Sequence, residues 1–314
     1  MRSEIGGYLE LERFSGSLYH GGALALSSGR ACLSYVLQRR GIKKILLPDF
    51  LCDIVEQTCD VCGTARRYYP VGADLRPVIP EPAEDEWVYL ADFYGQLSDE
   101  ELRAYRARFP QMILDNAHAY FRPPLPGTDT LYTCRKFLGV ADGGFLYTDL
   151  PETDLPEDQS HARMGFLLGR FEQPASLFFE EASRNNEMLG TEPKRMSPLT
   201  RNLLRAVDYD GVRKQREENF ALLHEAFSAR NLLQVKHTPG PYAYPLMLEN
   251  GAEIRKKLIE KKIYVATLWP NVLRDQPSGS DAFRLASQIL PLPCDQRYGA
   301  EEMRTVISAV ESCR

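Results

Sequence analysis

Apolar residues fall into two spacings from residue 23 onward. Short apolar runs at residues 23–26, 44–47, 65–69, 87–91, 111–114, 129–133 and 144–148 have the length of buried strands. Between the first of them stand longer stretches with helical spacing. Residues 30–40 bring Ala31, Leu33, Val36 and Leu37 to one side, and residues 54–62 end at Gly63. Ser98-Asp99-Glu100-Glu101 predicts a helix start, with acids at the positive end of the helix dipole. Strands alternating with helices predict an α/β fold with a mostly parallel, mixed sheet flanked by helices. In such sheets ligands bind at the carboxyl ends of strands. Three strand ends therefore matter: Ser28-Gly29-Arg30, Asp92 to Gln96, and Asp115 to His118.

The pattern changes after Asp149. Residues 150–200 are rich in Pro, Glu, Asp and Ser and predict an irregular segment. A long amphipathic helix is expected over 209–229, then a strand at 242–248, a helix at 252–261, a strand at 263–267 and a last helix at 300–312. This divides the chain into a large domain, residues 1–200, and a small C-terminal α+β domain, residues 201–314. At 314 residues the chain can bury about three quarters of its unfolded surface without staples. A net charge of −5 lacks the footprint of a nucleic-acid binder, and no apolar run reaches the length of a membrane span. Seven cysteines, an odd set, read as reduced thiols in a cytoplasmic protein. Cys59 and Cys62 have the spacing of half a zinc or redox site, but no second pair completes it, so they read as packing.

The chemistry concentrates in four short stretches. The turn Ser28-Gly29-Arg30 opens a helix, whose free N–H groups and dipole suit a phosphate. Asp115 at a strand end, with His118 three residues on, can address one ligand from two sides. Lys136 stands beside Arg135 on an apolar background; desolvation and a neighbouring cation both favour its neutral, nucleophilic form. Gly143-Gly144 permits a close backbone approach. Phosphate turn, carboxylate, lysine and Gly-Gly, in that order, is the arrangement of a pyridoxal phosphate site.

The same stretches resemble the DegT/DnrJ/StrS family of pyridoxal-phosphate-dependent sugar aminotransferases, of fold type I. Ser28-Gly29-Arg30-Ala31-Cys32-Leu33 is similar to the family's Ser-Gly-Thr-x-Ala-Leu turn. Pro48-Asp49-Phe50-Leu51-Cys52 stands where the family has Pro-x-x-Thr-Phe. Tyr94-Gly95-Gln96-Leu97-Ser98-Asp99 resembles Tyr-Gly-Gln-Pro-x-Asp, and Asp115-Asn116-Ala117-His118 resembles Asp-x-Ala-His/Gln. Lys136 precedes Gly143-Gly144 at the family's spacing, and Leu290-Pro291-Leu292-Pro293 resembles its closing Leu-Pro turn.

The resemblance implies pyridoxal 5′-phosphate as cofactor. Lys136 would form the internal aldimine and move the proton between Cα and the cofactor's C4′. Asp115 would keep the pyridine nitrogen protonated, and His118 would lie near the ring. Ser28, Gly29, Arg30 and Thr133 would bind the phosphate, and Phe50, or else Tyr94, would stack on the ring. It also implies a homodimer and a small-molecule substrate.

Two departures stand out. Arg30 replaces the family's Thr, and no Gly-Tyr-Asn-x-Arg motif follows Gly-Gly, where in the family it reaches a neighbouring subunit's site. Ser183-Arg184-Asn185-Asn186-Glu187 is the candidate replacement. Three readings follow. The leading one is transfer of an amino group, from glutamate, to a keto sugar on a nucleotide carrier. The others are the same cofactor acting on an amino acid or small keto acid, and a non-catalytic descendant that binds a ligand or partner.

Overall fold

A computed structural model describes residues 5–313. The first part of the chain is β1 (Leu24–Leu26), α1 (Gly29–Arg40), β2 (Lys44–Pro48), α2 (Asp53–Cys62), β3 (Ala65–Tyr69), β4 (Glu86–Ala91), α3 (Asp99–Arg108), β5 (Met112–Asp115), β6 (Asp129–Thr133) and β7 (Gly144–Tyr147). The seven strands form one sheet in the order β1-β7-β6-β5-β4-β2-β3. β7 runs antiparallel to both of its neighbours, and every other pairing is parallel. The fold is α/β, as the alternation of patterns predicts.

Helix α1 buries Ala31 through Leu37 without a break, so it is a core helix rather than an amphipathic surface one. Its start is fixed by Ser28, whose hydroxyl accepts from the Ala31 N–H at 3.1 Å. Its end is a left-handed Gly41, and β2 begins three residues later at Lys44. Helix α3 starts with the reciprocal capping bonds of Ser98 and Glu101, as its acidic first turn predicts.

The remaining elements are α4 (Gly165–Glu172), α5 (Phe179–Met188), α6 (Pro198–Leu204), α7 (Tyr209–Phe227), β8 (Tyr244–Met247), α8 (Gly251–Glu260), α9 (Pro270–Asp275), α10 (Asp281–Gln288), β9 (Ile289–Leu292) and α11 (Ala300–Ser312). β8 and β9 pair antiparallel, and a second apolar cluster gathers Phe220, Leu223, Tyr244, Leu246, Leu290 and Val306 around them.

Two expectations need correction. The segment 150–200 is not irregular throughout, because it holds α4, α5 and the start of α6. The strand expected at 263–267 does not form. Val265 is buried, but β8 pairs with β9, the Leu-Pro stretch expected to be a turn. Pro291 lies within that strand, which is tolerated because β9 has a partner on only one side.

Gln96 ties the two halves together. Its side-chain amide donates to the Lys236 carbonyl at 3.1 Å and its oxygen accepts from the Lys236 N–H at 2.7 Å. No helix among the described residues is long and apolar enough to cross a membrane.

Candidate active site

A cavity of about 590 Å³ opens at the carboxyl ends of the parallel strands. Its wall includes Ser28, Gly29, Arg30, Asp115, His118, Thr133 and Lys136, seven of the nine residues picked out in the sequence. They come from the start of α1, the end of β5 and the end of β6, which the sheet order brings side by side.

The turn at Ser28 is built by backbone contact with β7. The Gly143 N–H donates to the Ser27 carbonyl at 2.6 Å, and Leu26 pairs with Gly144. A Cβ on Gly144 would sit 2.6 Å from the Ser28 carbonyl carbon and 2.9 Å from the Gly29 nitrogen. Gly143 has φ of +120°, which side chains rarely adopt. The glycine pair thus lets a strand run directly beneath the helix start. The first N–H groups of α1 have no partner within the helix and are available to an anion.

Asp115 ends β5 with both oxygens engaged. Oδ1 accepts from the Ala117 N–H and Oδ2 from the Tyr89 hydroxyl, each at 2.7 Å. Burial raises its pKa, and the Lys136 charge and the Tyr89 hydrogen bond oppose that rise. Lys136 is shifted the other way. Lys136 opens into the cavity, yet the protein packed around it desolvates the ammonium and lowers its pKa; Asp115 and Cys52 oppose the fall, and Arg135 adds to it. Its Nζ lies 5.6 Å from the centre of the Tyr242 ring.

His118 is held neutral by burial and by the Lys136 charge, both of which lower its pKa far below the usual value. Its Nδ1 accepts from the Tyr94 N–H at 3.4 Å, so the proton belongs on Nε2. That Nε2 is buried without a hydrogen-bond partner, at the wall of the cavity. A buried polar atom left unpaired is costly, and a ligand acceptor would satisfy it. The Tyr242 ring stacks on His118 at 4.3 Å.

Phe50 and Tyr94 are not in the cavity wall. Phe50 is fully buried and packs against Phe93 and Trp269. Tyr94 packs against His118 and Tyr242, with a left-handed φ of 57° that aims its N–H at His118. The side chains that do line the wall there are Cys52, Phe93 and Trp269. Cys52 lies two residues past Phe50, within the stretch singled out in the sequence. Trp269 comes from the distant start of α9, and local spacing gives no signal for it.

The Arg30 guanidinium also departs from expectation. It donates to the carbonyls of Asn186 and Leu189 and to the Asn186 side chain, at the end of α5. Asn186 and Glu187 line the same cavity, so the candidate replacement segment reaches the site of its own chain.

Buried Arg216 of α7 was not singled out in the sequence. It donates to the carbonyls of Phe137 and Pro241 and to Gln296, and so fixes the loop that carries Lys136. Its only sequence signal is a charge on an amphipathic helix, which ordinarily faces water.

No protein-family model matches the sequence, and no curated protein does. Solved structures do match. DesV of S. venezuelae, solved in complex with a ketimine intermediate, shares 18% identity over 92% of this chain and 84% of its own, with a TM-score of 0.65. A DegT DnrJ EryC1 StrS aminotransferase from Brucella abortus shares 15% over 93% and 86%, with a TM-score of 0.64. NtdA of Bacillus subtilis, solved with the cofactor PMP, shares 15% over 93% and 73%, with a TM-score of 0.66. This chain has the fold of these fold type I sugar aminotransferases. Identity this low speaks for the fold; the chemistry rests on the cavity.

Gly144→Ala is expected to lower stability by about 2 kcal/mol, within the usual cost of overpacking, because backbone stands on the far side of the new methyl. Gly139→Ala, with open space around the new Cβ, is the control. Unfolding midpoints measure both, and equal midpoints would refute the close-approach account.

Proposed function

We propose that the protein is a pyridoxal-phosphate-dependent aminotransferase that moves an amino group from glutamate to a keto sugar on a nucleotide carrier. The carrying observation is that Lys136, Asp115, His118 and the start of α1 line one cavity. The residues fit the cofactor: an anion cradle at the Gly29 and Arg30 N–H groups, a half-buried carboxylate, and the unpartnered Nε2 of His118. Bound there, pyridoxal phosphate supplies an electron sink for charge developing at the substrate's Cα.

The chain's own groups then have separate tasks. Lys136, with a depressed pKa, offers a neutral amine at lower pH than a free lysine does. The same amine can take a proton from the substrate and return it at a neighbouring atom. Asp115, steadied by Tyr89 and the Ala117 N–H, would hold the ring nitrogen and keep it protonated. His118, whose Nε2 has no partner in the protein, would donate to an acceptor on the ring. Gly29 and Arg30 would hold the phosphate through backbone N–H groups, with Ser28 fixing the turn and Thr133 in the same wall.

Purified protein loaded with the cofactor is expected to absorb in the visible and to lose that band when glutamate is added. Lys136→Ala should have neither property. A colourless protein that takes up no cofactor would overturn the reading. The pH dependence tests Asp115 separately. The Tyr89 hydrogen bond lowers the Asp115 pKa, so Tyr89→Phe raises it further. Activity requires the ionised carboxylate and is lost as pH falls through that pKa. The acid limb of the rate profile therefore moves to higher pH in Tyr89→Phe, and an unmoved limb would contradict the assignment.

We infer a homodimer as well. Leu168, Phe171, Leu177, Phe179 and Met188 are all more than half exposed along one stretch of chain, and Phe171 is 93% exposed. Such a concentration of apolar surface favours a protein partner over water. Light scattering at micromolar concentration should give twice the chain mass, and Phe171→Asp should shift it toward one.

A further inference from the structure

Two arginines at the cavity share one neutral acceptor. Arg30 Nη2 and Arg135 Nη1 each lie 3.2 Å from Asn186 Oδ1. Both are half-buried and both line the cavity. Among the described residues neither makes an ion pair with a carboxylate. Asp53, an acid in the same wall, accepts instead from Gln57 at 3.2 Å and from the Cys52 thiol at 3.6 Å.

The two guanidiniums differ in what they have left to give. Every bond of Arg30 goes to the C-terminal end of α5, where carbonyls carry the negative end of the helix dipole. Arg30 is thus a clamp between α1 and α5. Arg135 has five N–H donors and commits one of them, to Asn186. Burial, with Arg30 and Arg163 nearby, lowers its pKa to about 10. A half-buried guanidinium with spare donors, crowded by like charge and next to Lys136, is matched chemically by an oxyanion that accepts two parallel bonds.

We propose that Arg135, braced by Asn186, binds an anionic group of the substrate, a carboxylate or a phosphate, beside Lys136. This rests on the transaminase reading and adds a binding residue to it. The cofactor's own phosphate has its cradle at the start of α1, so Arg135 remains for the substrate. Arg30 acts at one remove: by tying down α5 it sets Asn186, and Asn186 sets Arg135.

The test uses the cofactor-loaded protein, with glutarate as the dicarboxylate probe and uridine diphosphate as the phosphate probe. Binding of each is followed by calorimetry in wild type, Arg135→Gln and Arg135→Lys. The expected result is at least tenfold weaker binding of one probe to Arg135→Gln, partial recovery in Arg135→Lys, and cofactor affinity within twofold of wild type. Loss of glutarate binding assigns the site to the amino donor's carboxylate, and loss of uridine diphosphate binding assigns it to the carrier's phosphate. Equal binding of both probes to wild type and Arg135→Gln would overturn the proposal. So would a tenfold loss of cofactor affinity with probe binding unchanged, which assigns Arg135 to the cofactor's phosphate. Wild type that takes up no cofactor overturns the transaminase reading and this one with it, a result distinct from a loss confined to the variant.

Discussion

The contact between Gly143-Gly144 and Ser27-Ser28-Gly29 governs the geometry of the site. β7 enters the sheet against the direction of its neighbours, between β1 and β6, and crosses directly beneath the start of α1. Any side chain on Gly144 would occupy the position of that backbone. The same crossing fixes the lysine loop, because the Cys134 N–H donates to the Gly143 carbonyl. It also fixes the segment beyond. Buried Asp142 accepts from the Ser197 N–H and hydroxyl, each at 2.8 Å, and from the Thr200 hydroxyl. Anion turn, lysine loop and the start of α6 are therefore set by one backbone approach.

What this approach assembles is a set of opposed electrostatic demands. Desolvation by the cavity walls drives Asp115 toward its neutral form and Lys136 toward its own, while the charge of each resists the change in the other. Tyr89 favours the ionised carboxylate, and Arg135 favours the free amine. His118 is held as a neutral donor by burial and by the same Lys136 charge. Perturbed groups gathered in a cavity are what acid–base chemistry needs, and ion pairing alone does not explain them, since Asp115 and Lys136 form no direct bridge here.

Much of this is visible in the sequence because it is local. The strands of the main sheet, the capped start of α1 and the Lys136 to Gly-Gly spacing are set by residues near one another in the chain. The misreadings come from non-local packing. Phe50 fits a stacking role by type, but the sheet interior claims it against Phe93 and Trp269. Trp269 reaches the cavity from α9, and Arg216 reaches the lysine loop from α7, each a long way along the chain from what it touches. The irregular composition of 150–200 concealed α4 and α5 because their apolar residues are exposed or half-exposed and mark no buried face. β9 was concealed by Pro291 within it and Pro293 just after it, an interior proline that a strand with a single partner tolerates.

The exposed apolar stretch and the α5 clamp belong to the same piece of chain, and this links assembly to the site. α5 reaches the cavity with Asn186 and Glu187 at one end and exposes Phe179 at the other. Its tethers at the cavity end are hydrogen bonds from Arg30 and Arg135, together with Asn185, which donates to the Ala141 carbonyl at 2.9 Å. A partner that covered Phe171 and Phe179 would hold the far end of the same helix. Helices transmit displacement along their length because their backbone bonds are satisfied internally. A contact on that apolar stretch would therefore bear on the helix that carries Asn186 and, through it, on Arg135, whereas the start of α1 is set by β7 beneath it.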